Sequence, residues 1–158
     1  MKLYMRQKIF SIKDKFSIKD ADGADKYFVE GKLISVGKRL TVFDKEQNEL
    51  ALVKQKVVSI LPKFIVEIGG EEVATISKKF TVLKHKYIID GPNWEVQGDM
   101  LGHDYSIIEN GVPVAIIHKK WMSFGDSFEV DIPDETKEIL AISVVLAIDF
   151  ALDRGDNT

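Results

Sequence analysis

Short runs of alternating apolar and polar residues fill the chain from residue 3 to about 131, and then the pattern changes. Residues 139–152 read Ile-Leu-Ala-Ile-Ser-Val-Val-Leu-Ala-Ile-Asp-Phe-Ala-Leu, interrupted only by Ser143 and Asp149. A helix that is apolar on every side must be enclosed by protein or inserted in lipid. Spanning a bilayer takes about 20 apolar residues, and a run of about 10–14 more often marks a buried core helix. Acidic residues flank the run on both sides (Asp134, Glu135 and Glu138, then Asp153 and Asp156), so no transmembrane insertion is expected. The β-branched Ile139, Ile142, Val144, Val145 and Ile148 raise the alternative of a strand, which the length excludes. Pro133 is tolerated in a first helical turn, Asp134 and Glu135 suit the positive end of the helix dipole, and Arg154-Gly155 reads as a stop. The segment predicts a central hydrophobic helix over 134–153.

The remainder, residues 1–132, predicts strands near 3–10, 15–19, 27–35, 39–43, 49–57, 63–68, 72–79, 81–89, 94–98, 104–108, 112–120 and 127–131. Part of this region repeats. Leu50-Ala51-Leu52-Val53-Lys54-Gln55-Lys56-Val57 resembles Val73-Ala74-Thr75-Ile76-Ser77-Lys78-Lys79-Phe80, and both resemble Val114-Ala115-Ile116-Ile117-His118-Lys119-Lys120-Trp121. A turn signal precedes each copy, including Gly69-Gly70 and Asn110-Gly111, which favour tight hairpins. About twelve short antiparallel strands with one enclosed helix predict a mainly β (α+β) chain: a closed barrel around a central C-terminal helix. Closure also removes exposed sheet edges. The repeats place Ala51, Val53 and Val57, then Ala74, Ile76 and Phe80, then Ala115, Ile117 and Trp121 on the inward face. The small alanines leave room for the helix. The 158 residues suit one domain, 1–158.

Charge and chemistry narrow the function classes. A net charge of −3 gives no global attraction to nucleic acid, and no recognition helix or RNA-binding aromatic motif is present, so no nucleic-acid partner is expected. The absence of cysteine removes disulfides, thiolate metal sites and cysteine nucleophiles, and suits a cytoplasmic location. Met1 to Phe10 lacks the apolar run of a secretory signal. His85, His103 and His118 show no metal-ligand spacing, and there is no Gly-x-Ser-x-Gly elbow or phosphate loop. No catalytic residue, metal or cofactor is expected, and the chain reads as non-enzymatic. His103 reads as a hydrogen-bonded loop histidine. Trp94 reads as a strand start at a barrel rim. Trp121 reads as core on its inward phase, with a membrane-interface anchor as the alternative. Asp149, costly inside an enclosed helix unless partnered, is expected at a barrel end or paired with a lysine or backbone donors.

Lys56, Lys79 and Lys120 occupy equivalent repeat positions, with Lys78 and Lys119 beside two of them. Lys84, His85 and Lys86 form a further basic group. If the equivalent strands meet in space, Lys56, Lys78, Lys79, Lys119 and Lys120 form a phosphate-binding patch, each lysine adding about 1 kcal/mol near an anionic surface. The competing reading makes them solvated strand ends that block edge pairing.

The chain resembles a bacterial member of the LURP-one-related family. The matching stretches are Gly31 to Phe64, with Val42-Phe43-Asp44 and Leu52-Val53-Lys54-Gln55-Lys56; Trp94-Glu95-Val96-Gln97-Gly98-Asp99; Tyr105-Ser106-Ile107-Ile108 through Lys119-Lys120-Trp121; Phe128-Glu129-Val130; and the apolar C-terminal helix. The resemblance implies the fold of the tubby C-terminal domain and the phospholipid scramblases, a twelve-stranded barrel wrapped around a hydrophobic helix. Tubby domains bind phosphoinositides through a basic patch, scramblases act at membranes, and the plant namesakes are linked to defence. This chain lacks a proline-rich N-terminal arm and a cysteine cluster. Asp126, Asp131 and Asp134 do not form a calcium-loop pattern. The functional expectation is a tubby-like module, peripheral to the membrane, that binds anionic phospholipid head groups or a phosphorylated ligand. The alternative is an intracellular scaffold with a protein partner.

Overall fold

The computed structural model describes residues 1–6, 15–34, 37–56, 63–79, 86–122 and 125–153. The alternating stretches form twelve antiparallel strands: β1 (Lys2–Arg6), β2 (Lys15–Lys19), β3 (Asp25–Ile34), β4 (Gly37–Phe43), β5 (Glu49–Lys56), β6 (Lys63–Ile68), β7 (Glu71–Lys79), β8 (Lys86–Asp90), β9 (Trp94–Asp99), β10 (Asp104–Glu109), β11 (Val112–Met122) and β12 (Gly125–Asp131). Each strand pairs with its sequence neighbours, and β1 pairs with β12, which closes the barrel. The glycine turns fall where positive φ is needed, at Gly69 and Gly70 (63° and 81°) and at Asn110 and Gly111 (49° and 80°). Gly98 (φ +115°) has a second reason to be glycine: a Cβ there would stand 2.7 Å from the Asp104 carbonyl oxygen across the β9–β10 pair.

The final element is a 16-residue helix, α1 (Glu138–Asp153), entered through one 3₁₀ turn, Glu135–Lys137. Asp134 caps that turn by accepting the Thr136 backbone N–H at 3.0 Å. The helical structure thus follows the expected 134–153 span, with a tighter first turn. Every residue from Ala141 to Ile148 is buried. Against this helix the strands present Leu3, Ile18, Val29, Leu40, Val42, Ala51, Val53, Phe64, Val66, Ala74, Ile76, Ile89, Ile107, Ala115, Ile117, Phe128 and Val130. Burying a large aliphatic side chain contributes about 1.5–3 kcal/mol, so this single concentric core carries the fold. Ser143 satisfies its hydroxyl by donating to the Ile139 carbonyl at 2.7 Å.

The inward alanines of the repeats, Ala51, Ala74 and Ala115, are all buried as expected. Trp121 departs from expectation: it is 78% exposed. Its phase is that of Ala115 and Ile117, but it lies in the last two rungs of the β11–β12 ladder, beyond the buried part of that inward row. Val57, Phe80, Lys84 and His85 lie outside the described residues.

Candidate functional site

Antiparallel order sets which strand ends share a rim of the barrel. The C-terminal ends of the odd-numbered strands and the N-terminal ends of the even-numbered strands share one rim. That rim carries Arg6, Lys15, Lys32, Lys38, Arg39, Lys56, Lys63, Lys79, Lys86, Lys119 and Lys120. The other rim and its turns carry Asp20, Asp22, Asp25, Asp44, Glu46, Glu49, Glu71, Glu72, Asp90, Glu109, Asp131 and Asp134. The helix runs from the acidic end to the basic end. Its first residue, Glu138, accepts from Lys26 at 2.7 Å and from the Tyr27 hydroxyl, and Lys137 beside it is bonded to Glu109. Near its other end Lys38 Nζ stands 4.8 Å from the Phe150 ring centroid. Glu138 in the first turn and Lys38 near the last are each favourable against the macrodipole.

All five lysines singled out by the repeats lie at the basic end, on strands β5, β7 and β11. They do not make one continuous patch. Lys56 is in register with Lys63, and Lys79 with Lys86, so β5 to β8 form one arc. Lys119 and Lys120 stand four strands away from β7, and Asp99 and Asp104 on β9 and β10 come between. Lys119 is exposed, whereas Lys120 Nζ lies 4.0 Å from Glu129. Glu129 is buried on the outer wall and also accepts from the Tyr4 hydroxyl at 2.9 Å. Burial and that hydrogen bond raise the Tyr4 pKa.

The repeats did not mark a third group. On the outer face Lys32, Arg39 and Lys54 stand directly opposite one another across β3, β4 and β5. Lys54 is paired with Glu67 at 2.7 Å, while the buried Arg39 Nε has no hydrogen-bond acceptor among the described residues. Like charges directly opposite in a ladder are destabilising. Only the register reveals this row, because Lys32 and Arg39 lie in strands outside the repeats.

At the same end, in the β9–β10 turn, His103 (φ 51°) places Nε2 2.7 Å from Asp149 Oδ1 and stacks on Phe128 (centroids 4.6 Å apart, planes 14° apart). Asp149 therefore has a histidine partner instead of a lysine or backbone donors. His118 meets Asp104 at 3.0 Å. Trp94 opens β9 at the acidic rim and is buried. Among the described residues no three histidines or carboxylates converge as a metal site. A cavity of about 170 Å³ between β5 and β6 is lined by Glu49, Leu50, Ala51, Leu52, Glu67 and the Gly69–Gly70 turn. It is acidic and smaller than ordinary ligand pockets of about 300–1,000 Å³.

A closed twelve-stranded barrel filled by its own C-terminal helix, with one basic rim, defines the class. The family model described as LURP-one-related matches residues 1–149, and the chain belongs to that family. It is 34% identical to the protein YxjI of Bacillus subtilis (strain 168) over 157 residues, covering 99% of this chain and 97% of that one. Its fold is similar to the X-ray structure of the Arabidopsis thaliana protein AT5G01750, with a TM-score of 0.65 at 17% identity over 94% of this chain and 90% of that chain. Among the described residues no helix is long and apolar enough to cross a membrane.

Proposed function

We propose that this barrel is a non-enzymatic binding module that docks on anionic phospholipid, or on another phosphorylated ligand, through its basic end. The observation that carries the reading is the polarity of the barrel. A chain of net charge −3 nevertheless places many of its lysines and arginines on one rim, and holds like charges in register as Lys56 with Lys63, and Lys32 with Arg39 and Lys54. Such pairs cost stability in isolation, and phosphate oxygens between them would offset the repulsion. The interior is filled by α1, so binding is a surface event.

Large exposed apolar side chains among the described residues do not favour a protein-docking scaffold. Met1 and Val112 lie at the acidic end and Ile88 on the outer wall, scattered singly in the manner of ordinary surfaces, while Leu101 and Trp121 lie at the basic end among the lysines.

Liposome flotation tests the proposal. Neutral vesicles should leave the protein behind. Phosphatidylglycerol- or phosphoinositide-containing vesicles should carry it upward at low salt, and less so at physiological salt, where the Debye length is about 8 Å. Lys56→Glu combined with Lys119→Glu should abolish flotation. Salt-independent flotation, equal flotation with neutral vesicles, or none at all overturns the reading.

A further inference from the structure

The last two rungs of the β11–β12 ladder pair Trp121 with Asp126 and Met122 with Gly125, and among the described residues the β1–β12 pairing ends at Arg6 with Ser127. On the other side, the β10–β11 pairing begins at Tyr105 with Ile117. The end of β11 lies on the basic rim and carries Lys119, Lys120 and Trp121. Next to it stands the β9–β10 turn, whose Leu101 is 57% exposed. That turn is built to hold its shape: the His103 N–H donates to the Met100 carbonyl at 3.2 Å, the Gly102 N–H donates to Asp99 at 3.0 Å, and His103 is tied to Asp149 of the helix.

Resting on the phospholipid reading above, we infer that Trp121 and Leu101 are the interfacial anchor of the docked barrel. They seat at the head-group level of an anionic bilayer while Lys119 and Lys120 meet lipid phosphates. Three observations converge. An indole that is 78% exposed buries little apolar surface within the chain, and tryptophan is the side chain best suited to a boundary with one wet and one apolar side. Leu101 and Trp121 share the basic rim, whereas the exposed Met1 and Val112 sit on the rim where an anionic surface would be repelled. Two of the nearby acids have partners of their own: Asp104 faces His118, and Asp99 accepts from the Gly102 N–H. The helix axis then points at the membrane with its C-terminal end first.

Tryptophan fluorescence tests this directly, because the second indole, Trp94, is only 3% exposed and is held in the core. Vesicles of phosphatidylcholine with phosphatidylglycerol should shift the emission to the blue, and the same vesicles with brominated acyl chains should quench it. Both responses should vanish in Trp121→Phe. Trp121→Ala with Leu101→Ser should lower vesicle affinity roughly tenfold, with an unchanged thermal melt since both side chains are exposed. Flotation with neither shift nor quenching, or unchanged affinity in the double variant, overturns the anchor and leaves the docking proposal standing. Absence of flotation overturns both.

Discussion

His103 Nε2 lies 2.7 Å from Asp149 Oδ1, a bond between the β9–β10 turn and the penultimate turn of the helix that fills the barrel. The two residues are 46 positions apart, and both side chains are largely buried (16% and 13% exposed). This contact pins the helix to the barrel at the basic end, as Lys26 and Tyr27 pin it through Glu138 at the acidic end.

Breaking the His103–Asp149 pair should therefore cost more than a surface pair. Asp149→Ala and His103→Ala are each expected to destabilise by about 1.5–3 kcal/mol, the range for a hydrogen bond to a charged group. A double-mutant cycle by urea denaturation should give a coupling of roughly 1 kcal/mol or more. Additive effects would show that the contact carries no energy of its own.

Removal of the helix is a more severe change. Truncation after Pro133 deletes the axis against which every inward strand residue packs. The shortened chain should lose its cooperative melt and its near-ultraviolet circular dichroism. A truncated chain with a sharp transition would mean that the strands close without the helix.

Arg39 offers the reverse. It stands between Lys32 and Lys54 in register, and its buried Nε lacks an acceptor among the described residues. Arg39→Thr should stabilise the protein by several tenths to about 1 kcal/mol, as relief of cross-strand repulsion and a good strand former predict. The same variant should bind anionic vesicles less well, if the row is kept for phosphate. A lower melting temperature with unchanged vesicle binding would refute both parts.

The pH profile follows from which groups the fold favours ionised. Lys19 beside Asp25, Lys137 beside Glu109, Thr136 beside Asp134 and Asn48 beside Asp44 hold these carboxyls below the ordinary carboxylate range. A depressed folded pKa means fewer protons bound in the folded state. Stability should be complete above about pH 4 and fall as acid protonates these groups. Burial pushes the Tyr27 and Tyr105 hydroxyls up, so their contribution is complete below about pH 10 and lost as pH rises further. Melting temperature measured across the pH scale should give a plateau bounded on both sides, and a steady rise toward acid would contradict it.

Much of the fold was legible along the chain because period is a local property. Alternation in Ala51-Leu52-Val53 and Ala115-Ile116-Ile117 specifies which residues face inward, and two adjacent positive-φ residues at Asn110-Gly111 specify a hairpin. An apolar run ending in Leu152, too long for a strand and too short for a bilayer, specifies an enclosed helix. That the five lysines fall at or beside equivalent strand positions was also readable from the repeats. Whether they share a surface was not, because the end of the barrel on which a strand terminus falls depends on antiparallel closure. Register alone aligned Lys32, Arg39 and Lys54, and only the folded chain shows Trp121 exposed despite its inward phase. Likewise Asp149 could be seen to need a partner, but only the packed structure brings His103 to it. The local pattern determined the elements and their buried faces, since alternation and helical period act over a few residues. The tertiary structure decided the site, since charges and rings meet only once the closing strand and the filling helix have set the two rims.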